Sequence, residues 1–125
     1  MIAADSCTWI AFLEGAPGHD TELLDQALGD HRVLMIPAVF TELFSDAFLP
    51  SSVARSLLDI PMIELQAGYW HRAGLLRARV LSKRRKARLG DALIAQTCLD
   101  RNIPLLTRDQ DLRAFADAAQ LNLIL

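Results

Sequence analysis

Long apolar runs are missing from this chain. None approaches the roughly 18 residues that a membrane-crossing helix needs, so no membrane association is expected. The opening Met1-Ile2-Ala3-Ala4-Asp5 has no basic region, and its carboxylate arrives too early for a signal-peptide core. A cytoplasmic location is the resulting expectation. Cysteine is scarce: Cys7 and Cys98 sit in apolar surroundings without metal-ligand spacing, and both read as small buried hydrophobes. His19, His31 and His71 form no cluster, which leaves little basis for a zinc site or a histidine general base. Acidic residues are absent between Gln66 and Gly90, the same stretch that holds Arg72, Arg77, Arg79, Lys83, Arg84, Arg85, Lys86 and Arg88.

That segregation matters more than the overall net charge of −2, which alone argues against a nucleic-acid binder. Eight of the 13 basic residues lie in one segment, so positive potential concentrates on one part of the surface. The 125 residues, 52% hydrophobic and 22% charged, suffice for one folded domain spanning 1–125 with a sizeable core.

Strand-like and helix-like patterns alternate, as in a parallel sheet with helical crossovers. Strands are expected at Ile2–Asp5, Arg32–Ile36, Met62–Leu65, Ile103–Thr107 and Leu121–Leu125. Helical segments are expected at Thr8–Glu14, His19–Leu28, Pro37–Phe44, Ala67–Leu81, Gly90–Asp100 and Gln110–Ala118. Pro37 suits a first helical position, and Ser51 and Ser52 suit the cap of a helix reaching Leu58. Trp9, Phe12, Phe40, Phe44, Phe48 and Trp70 read as core, with the region Phe40–Leu57 able to offer an apolar groove to a partner helix.

In this plan Asp5 ends the first strand and Asp109 follows the fourth, while Asp91 opens a helix and Glu42 lies in the helix leaving strand two. The carboxyl ends of parallel strands share one edge, where ligands bind, so these acids are expected to converge. Asp5 is the only charge in the first 13 residues. Gathered carboxylates repel, and a hard divalent cation such as Mg²⁺ relieves the conflict while activating water and a scissile phosphate. Lys83, Arg84, Arg85, Lys86 and Arg88 lead into Gly90-Asp91, so their cations are expected to flank the acidic rim and are candidates to hold substrate phosphates.

The same residues resemble the PIN-domain ribonucleases, especially the VapC-type toxins of bacterial toxin–antitoxin pairs. The resemblance rests on Asp5-Ser6-Cys7-Thr8-Trp9-Ile10, Pro37-Ala38-Val39-Phe40-Thr41-Glu42-Leu43, Leu89-Gly90-Asp91-Ala92-Leu93-Ile94-Ala95 and Leu105-Leu106-Thr107-Arg108-Asp109-Gln110-Asp111-Leu112, in order across the chain. Cys7 stands where the family often has Ser, Thr or Asn. The fourth motif offers both Asp109 and Asp111; Asp109 follows the strand more closely, and Asp111 could instead cap the short helix.

The resemblance implies a three-layer α/β/α sandwich with a mostly parallel sheet of four to five strands. It also implies Mg²⁺ or Mn²⁺ at the acidic rim and endonucleolytic hydrolysis of RNA. Asp5 and Asp91 match direct metal ligands, Glu42 and Asp109 assist through water or position the nucleophile, and Ser6, Thr107 and Asp111 support them. An antitoxin laid across the active-site groove and a homodimer are implied as well. Two alternatives stay open: an RNA-processing nuclease without an antitoxin, and an inert binding module of the same fold. A phosphoacceptor receiver domain is disfavoured, because Asp5 stands alone and no Lys follows strand four or five.

Overall fold

The computed structural model describes residues 1–125. Its sheet contains three parallel strands, β1 (Ala3–Ala4), β2 (Leu105–Leu106) and β3 (Leu123–Ile124), in that spatial order. Two further segments extend it by isolated parallel bridges, Ile2 with Val33 and Met35 with Met62. A sheet of four to five strands is therefore not formed; three strands and two bridged segments occupy the expected places. Each bridged segment is short and is bounded by proline, Pro37 after the Val33–Met35 segment and Pro61 before Met62. A residue without an N–H cannot continue a ladder.

Seven helices surround this sheet: α1 (Ser6–Leu13), α2 (His19–Gly29), α3 (Pro37–Phe44), α4 (Ser51–Leu58), α5 (Tyr69–Ser82), α6 (Leu89–Arg101) and α7 (Arg113–Ala119). Pro37 occupies the first turn of α3, as the missing donor and fixed φ favour. Ser51 and Ser52 do not cap α4 from outside: the cap position is Pro50, and no side chain bonds the free amides. A 3₁₀ turn at Gln110–Leu112 precedes α7. No helix is long and apolar enough to cross a membrane.

The core gathers between sheet and helices, with Leu24, Met35, Ile36, Ile94, Leu105, Leu106 and Phe115 fully buried. Trp9 joins it, and Phe12, Phe40 and Phe44 pack against it partly buried. Phe48 and Trp70, expected inside, are 91% and 68% exposed. Both lie next to turns rather than on the inward stripe of a helix, and periodicity is least informative there.

The helix pair α5–α6 is tied by Tyr69, whose hydroxyl donates to the Leu93 carbonyl at 2.6 Å and accepts from Thr97 Oγ1 at 3.2 Å. Arg72 grips Asp100 with two hydrogen bonds of 3.0 and 2.6 Å. Arg77 Nε donates to the Ala87 carbonyl at 2.8 Å, which anchors the basic loop just before α6. These contacts set where the first turn of α6, and hence Asp91, meets the sheet edge.

Candidate active site

At the carboxyl end of β1 the chain turns directly into α1, and Asp5 is the residue at that junction. Its Oδ1 accepts the Ser6 amide at 2.8 Å, making Asp5 the N-cap of α1. Its Oδ2 accepts from Thr107 Oγ1 at 2.9 Å and lies 3.3 Å from Cys7 Sγ. Only 3% of Asp5 is exposed. Thr107 follows β2, the neighbour of β1, so parallel pairing brings these residues side by side although 102 positions separate them.

Thr107 Oγ1 also accepts the Asp109 amide at 3.0 Å. Asp109 Oδ1 in turn accepts the Asp111 amide at 2.9 Å and caps the 3₁₀ turn. The cap is thus Asp109, not Asp111. Asp111 faces the basic loop instead, 3.1 Å from Lys86 Nζ and 3.6 Å from Arg88, while Arg88 also reaches Asp109 at 3.7 Å. Glu42 joins from α3: its Oε2 accepts from Ser6 Oγ at 3.2 Å, and Ser6 Oγ also lies 3.4 Å from Asp5 Oδ1.

Asp91, in the first turn of α6, is half-buried. Its carboxyl is pushed up to about 6, first by loss of solvent, then by the negative charges of Asp5 and Asp109, with Arg88 opposing and Asp111 adding. Glu42 is raised above the ordinary glutamate value by the protein packed behind it, against the Ser6 hydrogen bond, with a further push from Asp5. Its side chain lies at the surface, so solvent screens most of that effect. Ser6 thus links Glu42 to Asp5, Thr107 links Asp5 to Asp109, and Asp91 shares their electrostatic field through the charges of Asp5, Asp109 and Asp111.

Of the basic candidates, Lys86 and Arg88 reach the acids, whereas Arg85 pairs with Asp117 of α7 at 2.7 Å. Lys83 and Arg84 form no ion pair and lie exposed at the turn after α5, where Arg84 takes a left-handed φ of 57°.

The donor set is hard oxygen, the kind that Mg²⁺ and Mn²⁺ prefer, but no three His, Cys, Asp or Glu side chains form a ready cage around one ion. That spread is compatible with a cation held by one or two carboxylates that keeps several waters. By the chemistry of its donors, the rim fits such an ion.

Three residues stand differently from the sequence pattern or outside it. Cys98 is fully buried, as expected, but Cys7 is only half-buried and its thiol stands 3.4 Å from Thr107 Oγ1 as well as beside Asp5. Burial and the nearby Asp5 charge push this thiol up, away from the reactive thiolate. Asp20 and Arg108, never singled out from the pattern, form a bidentate ion pair of 2.9 and 2.8 Å. Arg108 first, against burial, and then Thr8 hold the Asp20 carboxyl down to about 2. The partners are 88 positions apart, and an Asp opening α2 reads as ordinary helix-end charge.

Two apolar grooves flank Glu42. One of about 390 Å³ runs between α1, α3 and α4, lined by Ile10, Leu13, Leu43, Leu49 and Val53. The other, about 440 Å³, is lined by Ala38, Leu65, Tyr69, Trp70, Leu89 and Leu93.

A parallel α/β fold carrying an acidic rim at the carboxyl edge of its strands defines the class of protein. The particular family follows from the chain itself: residues 2–118 match the PIN domain, and the chain belongs to that family. A search of curated protein sequences returns no match. Among solved structures the fold is similar to VapBC2 from Rickettsia felis bound to a DNA fragment from their promoter, with a TM-score of 0.77, 20% identity and coverage of 99% of this chain and 98% of the other. VapBC-1 from nontypeable Haemophilus influenzae gives 0.76 at 21% identity, covering 99% and 97%. VapBC-5 of Mycobacterium tuberculosis, from a family of toxin–antitoxin systems, gives 0.72 at 20% identity, covering 98% and 96%.

Proposed function

We propose that this chain is a metal-dependent endoribonuclease, the toxin of a VapBC-type toxin–antitoxin pair. The observation that carries the reading is the gathering of Asp5, Asp91 and Asp109 at one rim, where burial first and then the charges of Asp5 and Asp109 raise Asp91 to about 6. Family membership and the likeness to VapBC structures support the toxin assignment.

Asp5 and Asp91 would hold Mg²⁺ or Mn²⁺, with Glu42 and Asp109 contributing through water. When bound, the ion supplies charge neutralisation at the scissile phosphate and a lowered pKa for attacking water. The chain's own groups do the rest. Thr107 and Ser6 fix the two Asp5 oxygens in direction, so that lone pairs remain aimed at the rim. Glu42 accepts from Ser6 through Oε2, which leaves Oε1 to take a proton from water. Asp91 holds a proton below about pH 6, and a cation bound there would displace it. Lys83 and Arg84 supply positive charge to RNA phosphates outside the cleavage point, and Lys86 and Arg88 sit closer, against the acids.

The groove between α1, α3 and α4 offers an antitoxin an apolar seat that ends at Glu42, so a bound segment would cover the rim. The groove at Trp70 and Leu89 offers apolar surface for a homodimer. RNA cleavage by the purified chain in Mg²⁺ or Mn²⁺, with its loss in EDTA and in Asp91→Asn, is the expected result. Undiminished cleavage by Asp91→Asn, or cleavage equal in EDTA, would refute the assignment.

A further inference from the structure

Two of the chain segments that supply the acidic rim, the start of α1 and the loop after β2, are fastened to a single buried carboxylate. Asp20, in the first turn of α2, is 5% exposed. Its Oδ2 accepts from Thr8 Oγ1 at 2.8 Å, three residues beyond Asp5 on α1. The same oxygen accepts from Arg108 Nε at 2.9 Å, and Oδ1 accepts from Arg108 Nη2 at 2.8 Å. Arg108 stands between Thr107, which bonds Asp5, and Asp109, whose amide returns to Thr107. Arg108 Nη2 also reaches the Pro17 carbonyl at 3.5 Å.

Space around this anchor is tight on one side. A Cβ at Gly18 would lie 2.6 Å from Asp20 Oδ1 and 2.8 Å from Arg108 Nη2, so any side chain there would push against the pair. A two-pronged guanidinium–carboxylate contact fixes direction as well as distance, which a single lysine bond does not. Ion pairs of this kind contribute little net stability compared with apolar packing, so their distinctive effect is geometric.

We infer that Asp20 and Arg108 are positioning residues for the acidic rim: one carboxylate clamps the Asp5 helix through Thr8 and the Thr107–Asp109 loop through Arg108. The inference rests on the nuclease reading for its purpose, but the clamp itself can be tested apart from it. The bridge fixes the spacing of Asp5 and Asp109 without touching substrate or cation.

Asp20→Asn, Arg108→Lys and Thr8→Val would be compared with the parent by amide hydrogen exchange, Mn²⁺ binding and RNA cleavage. Exchange at the Asp109 and Asp111 amides should accelerate at least tenfold in Asp20→Asn and Arg108→Lys, while α6 core amides keep their parental rates. Mn²⁺ affinity should fall about ten- to a hundredfold, and kcat should fall with the KM for RNA little changed. Thr8→Ser, which keeps the hydroxyl, should retain parental values where Thr8→Val does not. Parental exchange at Asp109 in folded variants would overturn the inference and leave the pair a stability contact only. If the parent chain bound no Mn²⁺ and cleaved no RNA, the nuclease reading would fail, and the exchange measurement would still decide the clamp. Should Asp20→Asn fail to fold, Arg108→Lys and Thr8→Val carry the same comparison.

Discussion

Asp91 is held where its charge is unwelcome. Its carboxyl titrates near 6 against an ordinary value of 3.8, because it is half-buried and faces Asp5 and Asp109. A folded-state value above the unfolded one means that the folded chain binds the proton more tightly. The contribution of Asp91 is then fully present below about pH 4 and is lost as pH rises through about 6. Asp91→Asn should therefore raise stability at neutral pH by about 1–3 kcal/mol and change it little at about pH 4. Urea unfolding of parent and variant in chelator at both pH values measures this. Equal pH dependence in the two proteins would show that Asp91 is not the strained group. A gain in stability on losing this carboxylate is the trade expected if the site is arranged for binding rather than for folding.

At the scale of elements, short strands and helix starts set the geometry. Pairing of β1 with β2 places Ala4 against Leu106, so the residues that follow, Asp5 and Thr107, meet at the sheet edge. The Asp20–Arg108 pair then joins α2 to the loop after β2, and its pH dependence has the opposite sign to that of Asp91. Asp20 is held near 2 against 3.8, so its contribution is present above about pH 4 and is lost as pH falls toward 2. Because the Arg108 side chain is 38% exposed, the contribution is discounted to about 1–2 kcal/mol. Asp20→Asn should cost that much at neutral pH and flatten the loss of stability between about pH 4 and 2. Thermal unfolding across that range measures it, and an unchanged acid limb would assign the depressed titration elsewhere.

Over the whole molecule, eight of the 13 basic residues fall in one segment, whose end borders the acidic rim. Lys86 and Arg88 turn toward the acids, Arg85 turns to α7, and Lys83 and Arg84 stay in solvent. Replacing Lys83, Arg84, Arg85 and Lys86 with Gln should weaken RNA binding. It should also lower the slope of log affinity against log salt by about 0.7 for each phosphate of the single strand that is no longer neutralised. Fluorescence anisotropy with single-stranded RNA across a salt series measures this. Binding with an unchanged slope would remove the basic loop from the RNA path.

The alternation of apolar segments and turn residues was enough to place most helices, and Asp5, Glu42, Asp91 and Asp109 stood out because acids recur where strands should end. Pro37 announced the start of α3 by local chemistry alone. Only tertiary structure decided that the outer segments pair through single bridges, that Phe48 and Trp70 face solvent, that Cys7 lies against Asp5, and that Asp109 rather than Asp111 caps its turn. It alone showed Asp20 meeting Arg108. Helix periods and caps depend on neighbours within a few residues, so they are written locally. Contacts between residues some 90 to 100 positions apart depend on how the helices pack on the sheet, and no single segment encodes them.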